Sequence, residues 1–183
     1  APGLLALRRA LSALGEVTVI APARNYSASG HRKTMHKPLR IDPTTLPDGS
    51  PGFVCSGAPS DCVALALLGF VKEKLDLVVS GINPFINVGQ DVTYSGTVTA
   101  ALEAALGGVP GIAVSMDTPA HADFDVAASV AVTVARAVVE QGLPAHIVLN
   151  VNVPGRPASE LKGFQITRQG QRVYRDELVE RSD

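Results

Sequence analysis

The sequence predicts an α/β fold, a mostly parallel β-sheet covered by helices. Two observations predict it. Short β-branched runs, such as Glu16–Ala21 and Leu75–Ser80, alternate with longer segments of helical apolar spacing. The 183 residues are 46% hydrophobic and 18% charged, rich in Ala, Val, Leu and Gly, with 4% aromatics and no Trp. That balance is too apolar for a disordered chain and suits a packed sheet between helices.

The elements follow in order. Leu4, Leu5, Leu7, Leu11 and Leu14 recur at helical spacing, with Arg8 and Arg9 on the wet side and Gly15 as a stop. Glu16–Ala21 is a buried strand ended by Pro22. Residues 24–37, rich in Ser, Asn, His and Lys, read as a loop, and 38–41 as a short strand. Asp42–Pro51, with its prolines and acids, reads as a surface excursion. A brief strand at 53–55 precedes a helix from Ser60, its N-cap, to about Lys72, with Asp61 in the first turn where negative charge suits the dipole.

Leu75–Ser80 is a second buried strand, followed by a long loop over 81–95. Gly96–Leu106 is a helix closed by Gly107-Gly108, and 112–115 a strand. Phe124–Gln141 is a long Ala/Val helix stopped by Gly142, and 146–151 and 164–167 are further strands. The charged tail from Gln171 has no core face. Strands alternating with helices imply right-handed crossovers. Ligands of such sheets bind beyond the carboxyl ends of the strands. A helix leading straight into a strand, as at the start of this chain, normally follows a strand and a βα loop, which the topology places ahead of Ala1.

Several function classes are excluded or unsupported. A net charge of −1 lacks the basic excess of a nucleic-acid footprint, so no nucleic-acid partner is expected. No apolar run reaches membrane-spanning length, and the amino end has no signal-peptide pattern. Cys55 and Cys62 match neither a CxxC pair nor a zinc ribbon and read as buried small hydrophobes of a cytoplasmic protein. No dinucleotide fingerprint, Walker A or HExxH is present.

The chemistry concentrates in two loops. The loop after Ser80 ends in Ser95-Gly96-Thr97 at a helix start, where backbone N–H groups and two hydroxyls can hold a phosphate. The same residues serve as an ordinary N-cap. Asn83 and Asn87, at the mouth of that strand, can offer carbonyl oxygens to a hard cation, or simply shape a turn. The loop after Ala21 carries Ser27, a possible ligand or donor, and His31, a candidate proton donor.

Seven segments in this order and spacing resemble one family. They are APG at the start, AP-x4-SASGH (21–31), SGAPSDCV (56–63), DLVVSGIN (76–83), YSGTV (94–98), LNVNVP (149–154) and TRQG (167–170). The chain is thereby similar to the SurE family of metal-dependent 5′-nucleotidases, also called survival-protein acid phosphatases. The resemblance implies a Rossmann-like three-layer αβα fold with a mostly parallel sheet. It implies one domain over 1–170, its first βα unit missing, and the start of a C-terminal oligomerisation extension over 171–183. It further implies hydrolysis of nucleoside 5′-monophosphates by a divalent cation, Mg²⁺ or Mn²⁺, in a homodimer or homotetramer.

Ser27 and Asn83 match the family's metal ligands, and Ser95, Gly96 and Thr97 its phosphate contacts. Asn87 matches a second loop Asn near the site. The family's aspartate pair belongs to an Asn-Asp-Asp-Gly motif ahead of the APG segment, so no catalytic residue is assigned here. The family usually has Gly two residues after the ligand Asn, where this chain has Pro84-Phe85. The alternative is an inactive remnant that binds phosphate or nucleotide weakly, because Ser27 and Asn83 are both neutral.

Overall fold

The computed structural model describes residues 2–26, 30–118, 123–171, 173, 174 and 179. Helix α1 spans Pro2–Leu11 and leads to strand β1, Ile20–Pro22. β1 pairs in parallel with β3, Pro51–Cys55, and β3 pairs antiparallel with β2, Ile41–Thr45. The second sheet is β4 (Val78–Asn83), β5 (Gly111–Met116) and β6 (Val148–Val153), parallel throughout in that order. Helix α2 covers Pro59–Leu65, α3 is the single turn Asp91–Tyr94, α4 is Gly96–Leu106 and α5 is Phe124–Gln141.

Helix α1 lies against α5 and β4, and α2 against α4 and β1, so the sheets are covered on both faces. The main core joins Ile112, Val114 and Met116 of β5 to Ala127, Ala128, Ala131 and Ala135 of α5. The small α5 residues let helix and sheet approach closely. The contacts are closer still at Gly3 and Gly111. A Cβ on Gly3 would stand 2.5 Å from the Ile82 carbonyl oxygen, and one on Gly111 2.2 Å from that of Ala101.

Helices α4 and α5 have the boundaries the sequence predicts. Elsewhere the pairing partner moved the ends. The 16–21 run is a ladder strand only from Ile20, where its pairing with Phe53 of β3 begins. The 42–51 excursion is in fact a hairpin: β2 runs antiparallel to β3 around a turn with Gly49 at φ 81°. Pro43 fits because β2 is an edge strand and needs no donor on its outer side.

The α2 helix is capped from inside. Ala58 is its N-cap residue, and the Asp61 carboxylate accepts the Ala58 N–H at 2.8 Å. Ser60, the expected cap, is two residues further in and donates to the Arg32 carbonyl instead. The helix stops at Leu65 and passes through a wide turn at Ala66–Phe70, where Gly69 takes φ 99°. The expected strand at 164–167 does not form. Ile166 is 99% exposed, so no neighbouring strand supports it.

Candidate functional site

Among the described residues β1 pairs only with β3, and β4 only with β5. Between these two strands lies a cavity of about 1200 Å³. Its end at the strands' carboxyl termini is lined by Asn83, Asn87, Ser95, Gly96, Thr97 and Phe85. The structure therefore gathers around one space five of the six residues that match the family's metal and phosphate contacts. The sixth, Ser27, lies outside the described residues, as does most of the segment from 172 onward.

The start of α4 is arranged as a donor cluster. Ser95 is the N-cap, and its Oγ accepts the Val98 N–H at 3.3 Å. The Gly96 and Thr97 amides, in the first helical turn, have no intrahelical acceptor. They point their hydrogens where the helix dipole favours negative charge, and the Ser95 and Thr97 hydroxyls stand beside them. Arg24, two residues after β1, lines the same cavity and adds a positive charge that the sequence reading did not single out.

Asn83 ends β4, and its side-chain amide donates to the Phe85 carbonyl at 2.5 Å. That bond leaves the Oδ1 as its acceptor. Pro84-Phe85 is thus accommodated by a turn closed on the Asn83 side chain. Thr118 donates to the Pro84 carbonyl and fixes the turn from β5's side.

Asn87 is buried and mostly committed to the protein. Its Nδ2 donates to Ser115 Oγ at 2.7 Å, and its N–H to Asn152 Oδ1 at 2.8 Å. Its carbonyl accepts from Asn150 Nδ2 at 2.8 Å and Asn152 Nδ2 at 3.0 Å. Through these bonds Asn87 acts as the knot of the loop, and it lines the cavity as well. Gln169 Nε2 holds the next turn through the Gly89 carbonyl at 2.9 Å. The LNVNVP and TRQG segments therefore serve the site by anchoring 87–89. Two asparagines on one face of a buried-type strand were the available signal for this.

The loop between β1 and β2 is fastened by two carboxylates. Asp61, 1% exposed, accepts the Thr34 N–H at 3.0 Å and the Thr34 hydroxyl at 2.7 Å. Glu103 of α4 pairs with His31 Nε2 at 2.9 Å and Lys33 Nζ at 3.2 Å. His31 faces Glu103, and it is not among the cavity-lining residues. The geometry fastens the loop to α4 through this pair.

A hard divalent cation needs several oxygens, carboxylates among them. The carboxylates lining the cavity, Glu16, Glu73 and Asp76, sit with the residues that precede β1 and β4, away from Asn83. Among the described residues no group of three or more His, Cys, Asp or Glu could hold a metal ion. Asn83 alone, a neutral ligand, does not make such a site.

Comparison with known proteins gives a consistent picture. The family model described as survival protein SurE matches residues 1–176. The chain is 52% identical to the 5′-nucleotidase SurE of Chloroflexus aggregans, over 100% of this chain and 73% of the relative. It is 50% identical to that of Herpetosiphon aurantiacus, over 100% of this chain and 72% of the relative. The crystal structure of SurE protein from Aquifex aeolicus superimposes with a TM-score of 0.85 at 41% identity, over 96% of this chain and 70% of that one.

Proposed function

Because this chain belongs to the SurE family, we propose that it acts as a phosphomonoesterase on nucleoside 5′-monophosphates, at the cavity end bounded by Asn83 and the start of α4. The observation that carries this reading is the shared cavity of Asn83, Ser95, Gly96 and Thr97, with unpaired first-turn amides in it. The reaction is hydrolysis of the P–O ester bond. Water supplies OH to phosphorus and a proton to the departing 5′-oxygen, giving nucleoside and inorganic phosphate.

The Gly96 and Thr97 amides with the Ser95 and Thr97 hydroxyls hold the equatorial phosphoryl oxygens, whose charge is greatest as the bond breaks. Arg24 draws the dianion in. Phe85, 72% exposed and lining the same cavity, offers an aromatic face to the nucleobase. The divalent cation, Mg²⁺ or Mn²⁺, is part of the proposal on family grounds. Ser27 and Asn83 are its proposed neutral ligands, and no step is derived through it, since the described residues bring no carboxylate to Asn83. A homodimer or homotetramer and a cytoplasmic location belong to the proposal in the same way. Among the described residues no helix is long and apolar enough to cross a membrane.

The test separates binding from turnover. Inorganic phosphate titrated into the protein should shift the Gly96 and Thr97 amide resonances, and Thr97→Ala should weaken that binding about tenfold, the worth of one charge-assisted hydrogen bond. Phosphate release from AMP is measured in parallel, with and without Mn²⁺. Phosphate shifts without turnover favour the weak-binding alternative. Turnover that survives both EDTA and Thr97→Ala removes the site assignment.

A further inference from the structure

We propose that Glu103 is a positioning residue for the start of α4. Through His31, Lys33 and Gly30 it fixes the Tyr94–Ser95 peptide, and with it the aim of the Gly96 and Thr97 amides. The consequence for phosphate rests on the reading of that helix start as a phosphate cradle, while the clamp itself does not.

Glu103 lies in the last turn of α4 and is 8% exposed. Neither the helix nor the core favours a carboxylate there. The carboxyl end of a helix repels negative charge, and a buried carboxylate is costly unless it is paired. Its partners therefore account for it. Glu103 Oε2 stands 2.9 Å from His31 Nε2, and Oε1 3.2 Å from Lys33 Nζ. Both partners come from one short stretch of the loop after β1, so a single side chain grips that stretch at two points.

The grip is passed on by Gly30, the residue before His31. Gly30 takes φ 60°, a left-handed conformation suited to glycine. Its N–H donates to the Tyr94 carbonyl at 2.9 Å. Its carbonyl accepts from the Arg32 N–H at 2.9 Å and from the Thr99 hydroxyl at 3.3 Å. Thr99, 1% exposed, directs the same hydroxyl at the Gly96 carbonyl, also at 3.3 Å. The Tyr94 carbonyl and the Ser95 N–H belong to one planar peptide. Holding that carbonyl sets the rotation of the peptide at which the chain turns from α3 into α4. The 30–33 stretch thus lies along α4, from just ahead of its N-cap to its last turn, and is pinned at both ends.

Charge and position predict opposite effects of removing the carboxylate. Glu103 is seven residues beyond Gly96, about 10 Å along the helix axis. From there a carboxylate weakly repels an anion at the helix start, and its loss also leaves Lys33 unpaired. Charge alone therefore predicts tighter phosphate binding in Glu103→Gln. Position predicts the reverse, because the change loosens Gly30 and lets the Tyr94–Ser95 peptide rotate.

The test uses the 183-residue protein, with inorganic phosphate as the probe. Three readouts are taken: hydrogen exchange at the Gly30 amide, the Ser95 amide resonance without ligand, and a phosphate titration followed at Gly96 and Thr97. In Glu103→Gln, which keeps the size of the side chain, Gly30 exchange should speed up by about tenfold or more. The Ser95 resonance should move before any phosphate is added. The phosphate Kd should rise about tenfold, the worth of one charge-assisted hydrogen bond that is no longer aimed. The double variant His31→Ala/Lys33→Ala releases the same grip from its exposed side, and should shift Gly30 exchange and the Ser95 resonance even where the buried substitution prevents folding. His31→Gln, whose amide nitrogen can stand in for Nε2, should retain most of the wild-type behaviour. Asp61→Asn loosens the same loop at Thr34 and lowers stability, yet should leave the Ser95 resonance and the phosphate affinity as in the wild type.

Three results would overturn the proposal. One is a Gly30 exchange rate and Ser95 resonance that ignore Glu103→Gln. Another is tighter phosphate binding in that variant, which would mean that charge acts and position does not. The third is an equal loss of phosphate affinity in Asp61→Asn, which would reduce Glu103 to a contributor to stability. A wild-type protein whose Gly96 and Thr97 resonances ignore phosphate would remove the cradle reading alone, since Gly30 exchange and the Ser95 resonance are read without phosphate and still decide the clamp.

Discussion

Replacing Asp61 with alanine removes the acceptor of three hydrogen bonds at once. The donors are the Ala58 N–H at 2.8 Å, the Thr34 N–H at 3.0 Å and the Thr34 hydroxyl at 2.7 Å. Asp61 is 1% exposed, while Thr34 is half-buried, so water partly replaces the lost acceptor for Thr34 only. Each stranded donor costs about 1–3 kcal/mol. The lower end for the two Thr34 groups and the middle of the range for Ala58, the N-cap amide of α2, sum to about 4 kcal/mol. A domain of this size loses about 2–4 °C of Tm per kcal/mol, so the expected fall is about 8–16 °C.

The assay is urea unfolding of wild type and variant, with the slope m compared as well as the midpoint. Asp61→Asn, which keeps one acceptor oxygen, should lose about half as much. A loss below about 1 kcal/mol for Asp61→Ala at unchanged m would refute the reasoning, since it would mean that the three donors find other partners. Hydrogen exchange at the Thr34 amide gives an independent check, because that amide should lose its protection in the variant.

Other expectations follow from the same coordinates. Gly81→Ala places a Cβ 2.4 Å from the Val114 carbonyl oxygen at φ 144°, and should cost about 2–5 kcal/mol by urea unfolding while displacing Asn83. Burial, with Cys55 beside it, pushes the Cys62 thiol far above its ordinary value of 9.0. The unfolded chain therefore releases that proton first, and stability should fall above about pH 9 by up to about 1.4 kcal/mol per pH unit. Cys62→Ala should remove that slope. The Ser50 hydroxyl, then the Ser50 N–H, hold the exposed Asp48 carboxyl below its ordinary value, so Ser50→Ala should move its NMR titration upward. The small stability contribution of Asp48 is present above the ordinary carboxylate pKa and disappears as pH falls through the depressed one. Phe85→Ala should raise KM for AMP several-fold and leave that for glycerol phosphate unchanged.

Much of the site is legible in the residues, but not the way it is held. Ser95-Gly96-Thr97 announces itself as a helix start after a buried strand, and the structure puts it beside Asn83 as the topology requires. Asn87 looks equally like a ligand in the sequence. Its burial and its bonds to Ser115, Asn150 and Asn152 make it a fastener, and those partners lie 28 to 65 residues away. Glu103 and Asp61 were invisible for the same reason. Each reads locally as a helix residue, and each is defined by a loop that folds back from 27 to 72 residues earlier.

By itself the sequence determined the alternation of strands and helices, the limits of α4 and α5, and the family. Apolar period, Gly stops and Asp or Ser caps act within a few residues, so they can be read in one dimension. Only the tertiary structure decided where β1 and β4 begin, that 42–51 folds as half of a hairpin, and which distant residues hold the 87–89 turn. A strand exists through its partner's hydrogen bonds, and a partner is a fact of three dimensions.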